Sequence, residues 1–488
     1  MPKNIDKKLL FLQNIKLNSA SNFSFFQDDM KEIYAFYAVE DHFETKNIKS
    51  EDFVYHIMGL YVKMLGEVAQ KDVIKSIIDT MPHFLIESNK LPKIELSTRV
   101  GRTLGQSPNV NLNKIYYDLC NSEWDICEID ENGWKLRKQN FPLFRRNNGQ
   151  NEQPIPINDN CFDEIFKFVN ITGDNQILFA VTLISYFIPD IAHPILMFSG
   201  KPGVSKTTTH TIVKSLVDPT VVMGQSLPKE GKNLLIQWKS QYVLFYDNIS
   251  AINSSISDIL CRGVTGEGTS DRKLYTDNDE VYYNLRRCFL INGIGQVGTK
   301  PDLMQRTVLV ELDPITKEQR KSEKEIFDSF NKLKPNLLGS IFNIVSKAIT
   351  IKDTIQLENT PRLADFAIWG EAISRAIGFK ENQFLQLLLE RQDKQETETA
   401  DFDSLFNALE SLISTADFSF IEGSARSIFN QIKIGATYGD LKYLPHSPGA
   451  LGIKLKNMKD IYEKNGMKIE TRMLDGLKNY KIIINNTL

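Results

Sequence analysis

The chain has 488 residues but only five cysteines and six histidines. Cys120, Cys127, Cys161, Cys261 and Cys288 form no C-x-x-C pair, and no histidine group stands beside them. That spacing excludes a zinc knuckle and a disulfide framework. The odd, dispersed count fits reduced thiols in a cytoplasm. Charge of one sign is also lacking: 58 Lys+Arg face 61 Asp+Glu, a net of −3. Nucleic-acid contact must therefore come from local patches. The longest apolar stretch, Ile177 to Ile188, contains Thr182 and Ser185. It is too short to span a bilayer and reads as a buried helix, so no membrane partner is expected. The start of the chain lacks a basic-then-apolar leader. Hydrophobic content of 42% and charged content of 24% are ordinary for a globular chain. The length implies about two to four domains.

What is present centres on Pro194 to Thr208. Ile195 to Phe198 read as a short buried strand. Gly200, Pro202, Gly203, Val204 and Ser205 form a loop, and Lys206, Thr207 and Thr208 open an apolar-periodic helix. Strand, glycine loop, Lys-Thr and helix make a phosphate cradle. Glycines let backbone N–H groups wrap phosphates, the lysine reaches the β/γ-phosphates, and the threonine hydroxyl holds Mg²⁺. The helix N-terminus adds a favourable dipole. Ser205 stands where the usual pattern has a second glycine, so the loop must differ from the standard nest, with Gly203 supplying flexibility. A plain Gly/Ser/Thr turn is the alternative for this stretch alone.

Three further runs come next in order. Thr220 to Met223 reads as a second strand. Tyr242-Val-Leu-Phe-Tyr-Asp247-Asn248 is an apolar strand that delivers a carboxylate, suited to Mg²⁺ through its water shell. Cys288-Phe-Leu-Ile-Asn292-Gly293 is a third, and its asparagine can hold an attacking water. Asp302-Leu-Met-Gln-Arg306 then precedes a strand over Val308 to Leu312. An arginine so placed can reach a neighbouring subunit's nucleotide. Between the second and third runs, alternating segments flank Asp277-Asn278-Asp279 and read as a β-hairpin, with Arg272 and Lys273 on its first arm.

The ordered set G-K-P-G-V-S-K-T, Y-V-L-F-Y-D-N, R-K-L-Y-T-D-N-D-E, F-L-I-N-G and D-L-M-Q-R resembles AAA+ ATPases carrying a hairpin before sensor 1. That clade holds the MCM and superfamily 3 helicases. The strings R-K-L-Y-T-D and P-R-L-A-D-F-A-x-W-G look most like the self-loading replication initiator-helicases of staphylococcal pathogenicity islands and cassette chromosomes. The resemblance spans roughly residues 95 to 488. It implies an α/β fold with a P-loop ATPase core, ATP and Mg²⁺ as cofactors, and these roles. Lys206 and Thr207 bind phosphate and metal, Asp247 supports the metal, Asn292 is sensor 1, and Arg306 is a finger acting in trans. The hairpin would grip DNA in a ring pore through Arg272 or Lys273. Many relatives carry Glu after the Asp, whereas this chain has Asn248, and an amide is no general base.

The expected organisation is a helical domain over 1–95, a small β unit and linker over 96–158, the ATPase core over 159–318, a helical lid over 319–398, and a winged helix over 399–488. Helices are expected over Asp52–Val68 and Asp72–Phe84, with Glu40-Asp41-His42 as a solvated turn. Short strands are expected at Ile115–Leu119, Trp124–Ile129 and Gly133–Arg137. Arg145 and Arg146 read as a solvated terminus, and Asn147 to Asn158 as a polar linker. In the lid, Pro361 opens a helix, and Arg362 reads either as a second sensor on the nucleotide or as a salt-bridge residue. Lys442 to Lys481 hold nine Lys/Arg and four Asp/Glu, a balance of +5. Lys454, Lys456 and Lys459 would lie on a recognition helix and Lys478 on a wing.

The function expected is an ATP-dependent DNA helicase and replication initiator of a mobile element, cytoplasmic, working as a homo-hexameric ring. It would hold single-stranded DNA in the pore and duplex origin DNA on the winged helix. A separate primase or polymerase would make primers. The alternatives are an origin-binding module whose nucleotide site only sets assembly, and an AAA+ regulator of DNA transposition or partition.

Overall fold

The computed structural model describes residues 7–17, 23–85, 91–102, 114–140, 144–200, 203–249, 252–267, 269–272, 280–283, 286–293, 301–316, 320–358, 361–401, 404–415, 420–435, 444–474 and 477–484. The first region contains α1 (Lys7–Leu17), β1 (Ser24–Gln27), β2 (Ile33–Val39), β3 (His42–Asn47), α2 (Glu51–Leu65) and α3 (Lys71–Leu85). A mainly helical region was expected, but β1, β2 and β3 form an antiparallel sheet. Ile33-Tyr-Ala-Phe-Tyr-Ala-Val39 is rich in aromatic and β-branched residues, which favour a pleated surface. Glu40 takes a left-handed φ of 50° at the β2–β3 turn. Ser50 caps α2 by accepting from Phe53 N, and Gly66 ends it. These elements share a core of their own around Phe11, Tyr37, Phe53 and Ile77.

Next comes an antiparallel sheet in the order β4 (Val100–Arg102), β5 (Ile115–Asp118), β6 (Asp125–Asp130) and β7 (Gly133–Lys138). Its core is not its own, because Ile115, Tyr117, Cys127 and Ile129 belong to one apolar cluster with Leu196, Leu244 and Leu290. Arg99 is buried beneath it. Its Nε donates to Asp218 at 3.0 Å and its other nitrogens donate to the carbonyls of Asp118, Asn151 and Pro219.

Two expectations fail here. Arg145 and Arg146 are not a solvated terminus. Arg145 is buried on Asp28 and Asp29, and Arg146 pairs with Asp118 and stacks 3.8 Å from the Trp124 ring centre. Asn147–Asn158 is no loose linker but a docked strap. Asn151 N bonds Pro219 O, Gln153 Nε2 bonds Tyr117 Oη and Leu216 O, and Ile157 N bonds Pro335 O. A Cβ on Gly339 would lie 1.8 Å from Ile157 O, so only glycine lets the strap lie there.

The centre is built from α4 (Asp174–Ser185), β8 (Ile195–Ser199), α5 (Lys206–Val217), α6 (Gly231–Ser240), β9 (Val243–Ile249), α7 (Ser254–Thr265), β10 (Thr269–Arg272), β11 (Glu280–Tyr283), β12 (Cys288–Gly293), α8 (Pro301–Met304) and β13 (Thr307–Glu311). Four strands form a parallel sheet in the order β13-β8-β12-β9. Helices cover both faces, which is why these strands read as unbroken apolar runs. α4 is buried on every side from Ile177 to Ser185. Thr220–Met223 is not a strand: Thr220 bridges Gln150, and Val221 and Val222 are exposed. The edge position beside β9 is filled by one residue, Gln225, bridged in parallel to Tyr246. Since β8, β9 and β12 run parallel, Gly200, Asp247 and Asn292 arrive at one end of the sheet.

Helices α9 (Glu323–Ile351), α10 (Ala364–Ile377) and α11 (Gln383–Asp401) come after the sheet. Ser322 and Glu325 form a capping box at the start of α9. The last elements are α12 (Ser404–Thr415), β14 (Phe420–Ser424), α13 (Ala425–Gly435), α14 (Pro448–Lys464), β15 (Met467–Leu474) and β16 (Leu477–Ile484). The expected helices and ribbon are present, joined by β14 in a sheet of order β14-β16-β15. They enclose a separate core around Leu409, Ile428, Leu455 and Ile482. Among the described residues no helix is long and apolar enough to cross a membrane.

Candidate active site

The loop after β8 turns on three residues of positive φ: Gly200 at 140°, Gly203 at 87° and Ser205 at 64°. At Gly200 a Cβ would sit 2.9 Å from Val204 Cγ2 and 3.1 Å from Leu312 O. Ser205 therefore adopts the left-handed conformation that a glycine would take more easily, at a strain of about 1–2 kcal/mol. Gly203 shares the turn rather than replacing it. Lys206 Nζ folds back onto Gly200 O at 2.9 Å. Val204 is buried, Thr208 half-buried and Thr207 exposed. Pro202 lies outside the described residues.

One turn along α5 the sequence hid a support. His210 is fully buried, its ring 4.5 Å from that of Phe198 and 4.7 Å from that of Phe245. Burial lowers its pKa to about 3, so it is a neutral, aromatic spacer between α5 and the sheet. A lone histidine on an apolar helix face carries no distinguishing pattern in sequence.

Thr207, Asp247 and Asn292 converge. Thr207 Oγ1 donates to Asp247 Oδ2 at 3.2 Å. Asn292 Nδ2 donates to Asp247 Oδ1 at 2.6 Å and to Thr207 Oγ1 at 3.2 Å. A bulge creates this geometry. Ile291 pairs with Tyr246 and Gly293 with Ile249, so Asp247 and Asn248 together oppose Asn292. Asn248 sits at φ 56°, a conformation that asparagine tolerates, and its N–H bonds Asp247 Oδ1 at 2.8 Å. One hydroxyl and one carboxylate suit a hard divalent cation that keeps most of its water and takes the rest of its shell from phosphate.

Two cavities flank the loop. One, of about 590 Å³, opens off Thr207 and Asp247 and is bounded by Gln225, Lys229, Asn248 and Asn253. The other, of about 600 Å³, lies between Phe166–Asn170, Gly203, Ser205 and the stretch holding Arg320 and Ile326.

Arg306 and Arg362 lie elsewhere. Arg306 O accepts from Ile195 N at the start of β8. It is therefore a whole five-residue strand, about 16 Å, from Gly200. Arg306 Nη1 meets Asp302 Oδ1 at 2.7 Å, and Arg362 Nη2 shares that oxygen. Arg362 Nη1 also donates to Gln305 Oε1 at 2.7 Å. Burial would raise the pKa of Asp302, but hydrogen bonds from Arg306 and Cys261 and the charge of both arginines hold it below the ordinary value. Thus the structure groups Lys206, Thr207, Asp247 and Asn292, and groups Arg306 with Arg362 at the other end of the sheet.

The hairpin pairs Thr269 with Tyr283 through Arg272 with Glu280. Only the backbone position of Arg272 is described, and Lys273 lies outside the described residues. On α14, Lys456 is exposed, Lys454 half-buried, and Lys459 pairs with Glu463 at 3.6 Å. Lys478 is exposed on β16, 5.3 Å from the Tyr480 ring centre.

Residues 162–393 match the family described as actinomycete integrative conjugative element replication protein. The central sheet and the helices after it are therefore similar to a replication protein, and not of the staphylococcal type that the motif strings resemble. No curated protein matches the chain. Among solved structures, the apo C-terminal region of NrS-1 is 13% identical, with 97% of this chain and 99% of that chain covered and a TM-score of 0.38. JCV helicase is 10% identical, with 50% of this chain and 66% of that chain covered and a TM-score of 0.22. Likeness at that level decides neither fold nor activity.

Proposed function

We propose that the protein is an ATP-dependent DNA helicase and replication initiator of a mobile element, with an AAA+ core. The observation that carries this is the convergence of Thr207, Asp247 and Asn292 beside a glycine loop and Lys206, with Arg306 held a strand's length away. In this reading, backbone N–H groups at the start of α5 bind the β- and γ-phosphates of ATP. Lys206 exchanges Gly200 O for a phosphate oxygen. Thr207 and Asp247 hold Mg²⁺, which neutralises phosphate charge when bound. Asn292 keeps the Asp247 carboxylate aimed at that position. The cavity between Phe168 and Ile326 takes the base and sugar.

Arg306 cannot serve the site on its own chain across the length of β8. In this reading it acts on a neighbour's nucleotide; a closed ring gives every chain such a neighbour, and a homo-hexamer is the reading adopted. Arg362, tied to the same Asp302, belongs with Arg306 rather than with its own chain's nucleotide. The β10–β11 hairpin grips a DNA strand in the pore. The unit over 399–488 is a winged helix that meets duplex DNA through Lys456 on α14 and Lys478 on the ribbon. In this reading 96–158 packs as part of the ATPase core, and the boundary expected at 398/399 moves past α11, which runs to Asp401. A cytoplasmic setting and a partner primase or polymerase complete the reading.

Asn248 favours one second reading, an origin-binding module whose nucleotide site controls assembly without turnover. One experiment separates the two: ATP hydrolysis and unwinding of forked DNA by the wild type and by Lys206→Ala. Unwinding by the wild type alone supports the helicase. Nucleotide-dependent oligomers with no hydrolysis would sink it and leave the module.

A further inference from the structure

If ATP is hydrolysed here, some group other than residue 248 must orient the attacking water. Asn248 is an amide, and its left-handed backbone serves the bulge that aims Asp247. Asp247 already accepts from Thr207 and Asn292. Asn292 is tied through Nδ2 to Asp247 and Thr207 and does not line the cavity beside them, which offers few other acceptors. Asn253 spends its side-chain oxygen on capping α7, accepting from Ile256 N at 2.9 Å. Lys229 has no acceptor. Ser226 is exposed at the rim.

Gln225 differs from all of these. Its backbone is fixed to the strand that carries Asp247, on both sides of Tyr246. Gln225 N donates to Phe245 O at 3.0 Å, and Asp247 N donates to Gln225 O at 3.0 Å. The residue before it, Gly224, lies so close to β9 that a Cβ would meet the Phe245 ring at 3.0 Å and Asp247 Cβ at 3.9 Å. Gln225 lines the cavity shared with Thr207 and Asp247. Its Nε2 is sealed from solvent with no hydrogen-bond partner, and no other described residue lining that cavity has such an atom. A buried amide nitrogen without a protein partner beside a reaction site calls for an explanation.

We propose that Gln225 orients the hydrolytic water, in place of the carboxylate that position 248 lacks. The proposal rests on the ATPase reading of this same site. In the step, the water oxygen bonds to the γ-phosphorus. The bond from that phosphorus to the β,γ-bridging oxygen breaks, and its electron pair leaves on ADP. An amide cannot take the water's proton, so the proton passes to a γ-phosphate oxygen and leaves with inorganic phosphate. Gln225 contributes alignment, accepting from the water through Oε1.

The test uses the full chain with Gln225→Ala, Gln225→Glu and Lys206→Ala, measuring kcat, KM for ATP and the pH profile. Gln225→Ala should lower kcat about 100-fold with KM changed less than about threefold, as for loss of a positioned water. Gln225→Glu should keep turnover and gain an acid limb where its carboxyl protonates. Wild-type kcat in Gln225→Ala, or a raised KM with kcat intact, overturns the proposal. Should Gln225→Ala fail to fold, a flat acid profile in Gln225→Glu overturns it instead. Turnover lost in Lys206→Ala but kept in Gln225→Ala sinks Gln225 alone. No turnover in the wild type sinks the ATPase reading with it.

Discussion

Replacing Arg99 by alanine tests how the small β unit is tied to the nucleotide site. Arg99 and Asp218 are both fully buried, and Asp218 comes directly after α5, whose first residue is Lys206. The Asp218 carboxylate also accepts from Tyr242 N at 2.8 Å and Val243 N at 3.0 Å, at the start of β9. One buried pair thus joins the β4–β7 sheet, the far end of α5 and the strand that carries Asp247. Arg99→Ala removes the ion pair and the bonds to three carbonyls, and leaves a carboxylate in the core. Breaking one side of a buried pair costs about 3–5 kcal/mol. At about 2 °C per kcal/mol for a unit of this size, melting followed by circular dichroism should fall about 6–10 °C. The double variant Arg99→Met, Asp218→Asn should lose less than the sum of its parts, because each residue's loss strands the other. A loss below about 1 kcal/mol in Arg99→Ala, or strict additivity, would refute the reasoning.

The other predictions concern charge and backbone. Burial lowers the pKa of Lys214 to about 8 and of Lys334 to about 7, whereas an unfolded lysine titrates near 10.4. Between those limits the unfolded chain binds more protons, so melting temperature should rise from pH 7 to pH 9. Lys334→Met should raise it at pH 7 and flatten that rise, and a wild-type melting point that falls over this range contradicts the assignment. At Ser205, glycine should leave the melting temperature no lower and keep ATP turnover. Ser205→Val should cost more than about 1 kcal/mol, since a β-branched residue resists a φ of 64°. Equal melting of the two variants would count against a strained serine.

Three of the four parallel strands were legible because each is an apolar run ending at a chemically distinctive residue: Gly200, Asp247 or Asn292. Their order was not, since pairing of β12 between β8 and β9 is a property of the whole sheet. Val221 and Val222 mislead because apolar residues are also common on surfaces. In the first region, Tyr34, Phe36 and Tyr37 belong to a strand whose hairpin turn lacks glycine; Glu40-Asp41-His42 read as a turn, but with no glycine to mark a hairpin the strands on either side went unread. The strap over 147–158 is polar because it binds backbone carbonyls of α5 and α9, and polarity alone reads the same as exposure. The site's motif residues could be named from spacing, whereas the bulge at Asn248, the neutral His210 and the edge residue Gln225 depend on register. The pairing of Arg306 with Arg362 through Asp302 joins segments that no local pattern connects.

The central claim is that two chains build each active site, one giving Lys206 and the next giving Arg306. Mixing Lys206→Ala with Arg306→Ala in equal amounts, and measuring ATP hydrolysis, tests it most directly. Each variant alone should be inactive. In a randomly mixed ring, half the sites keep Lys206 and half their neighbours supply Arg306, so activity should return to about a quarter of wild type. A mixture as inactive as its parts, or an Arg306→Ala protein with full turnover, would contradict the shared site.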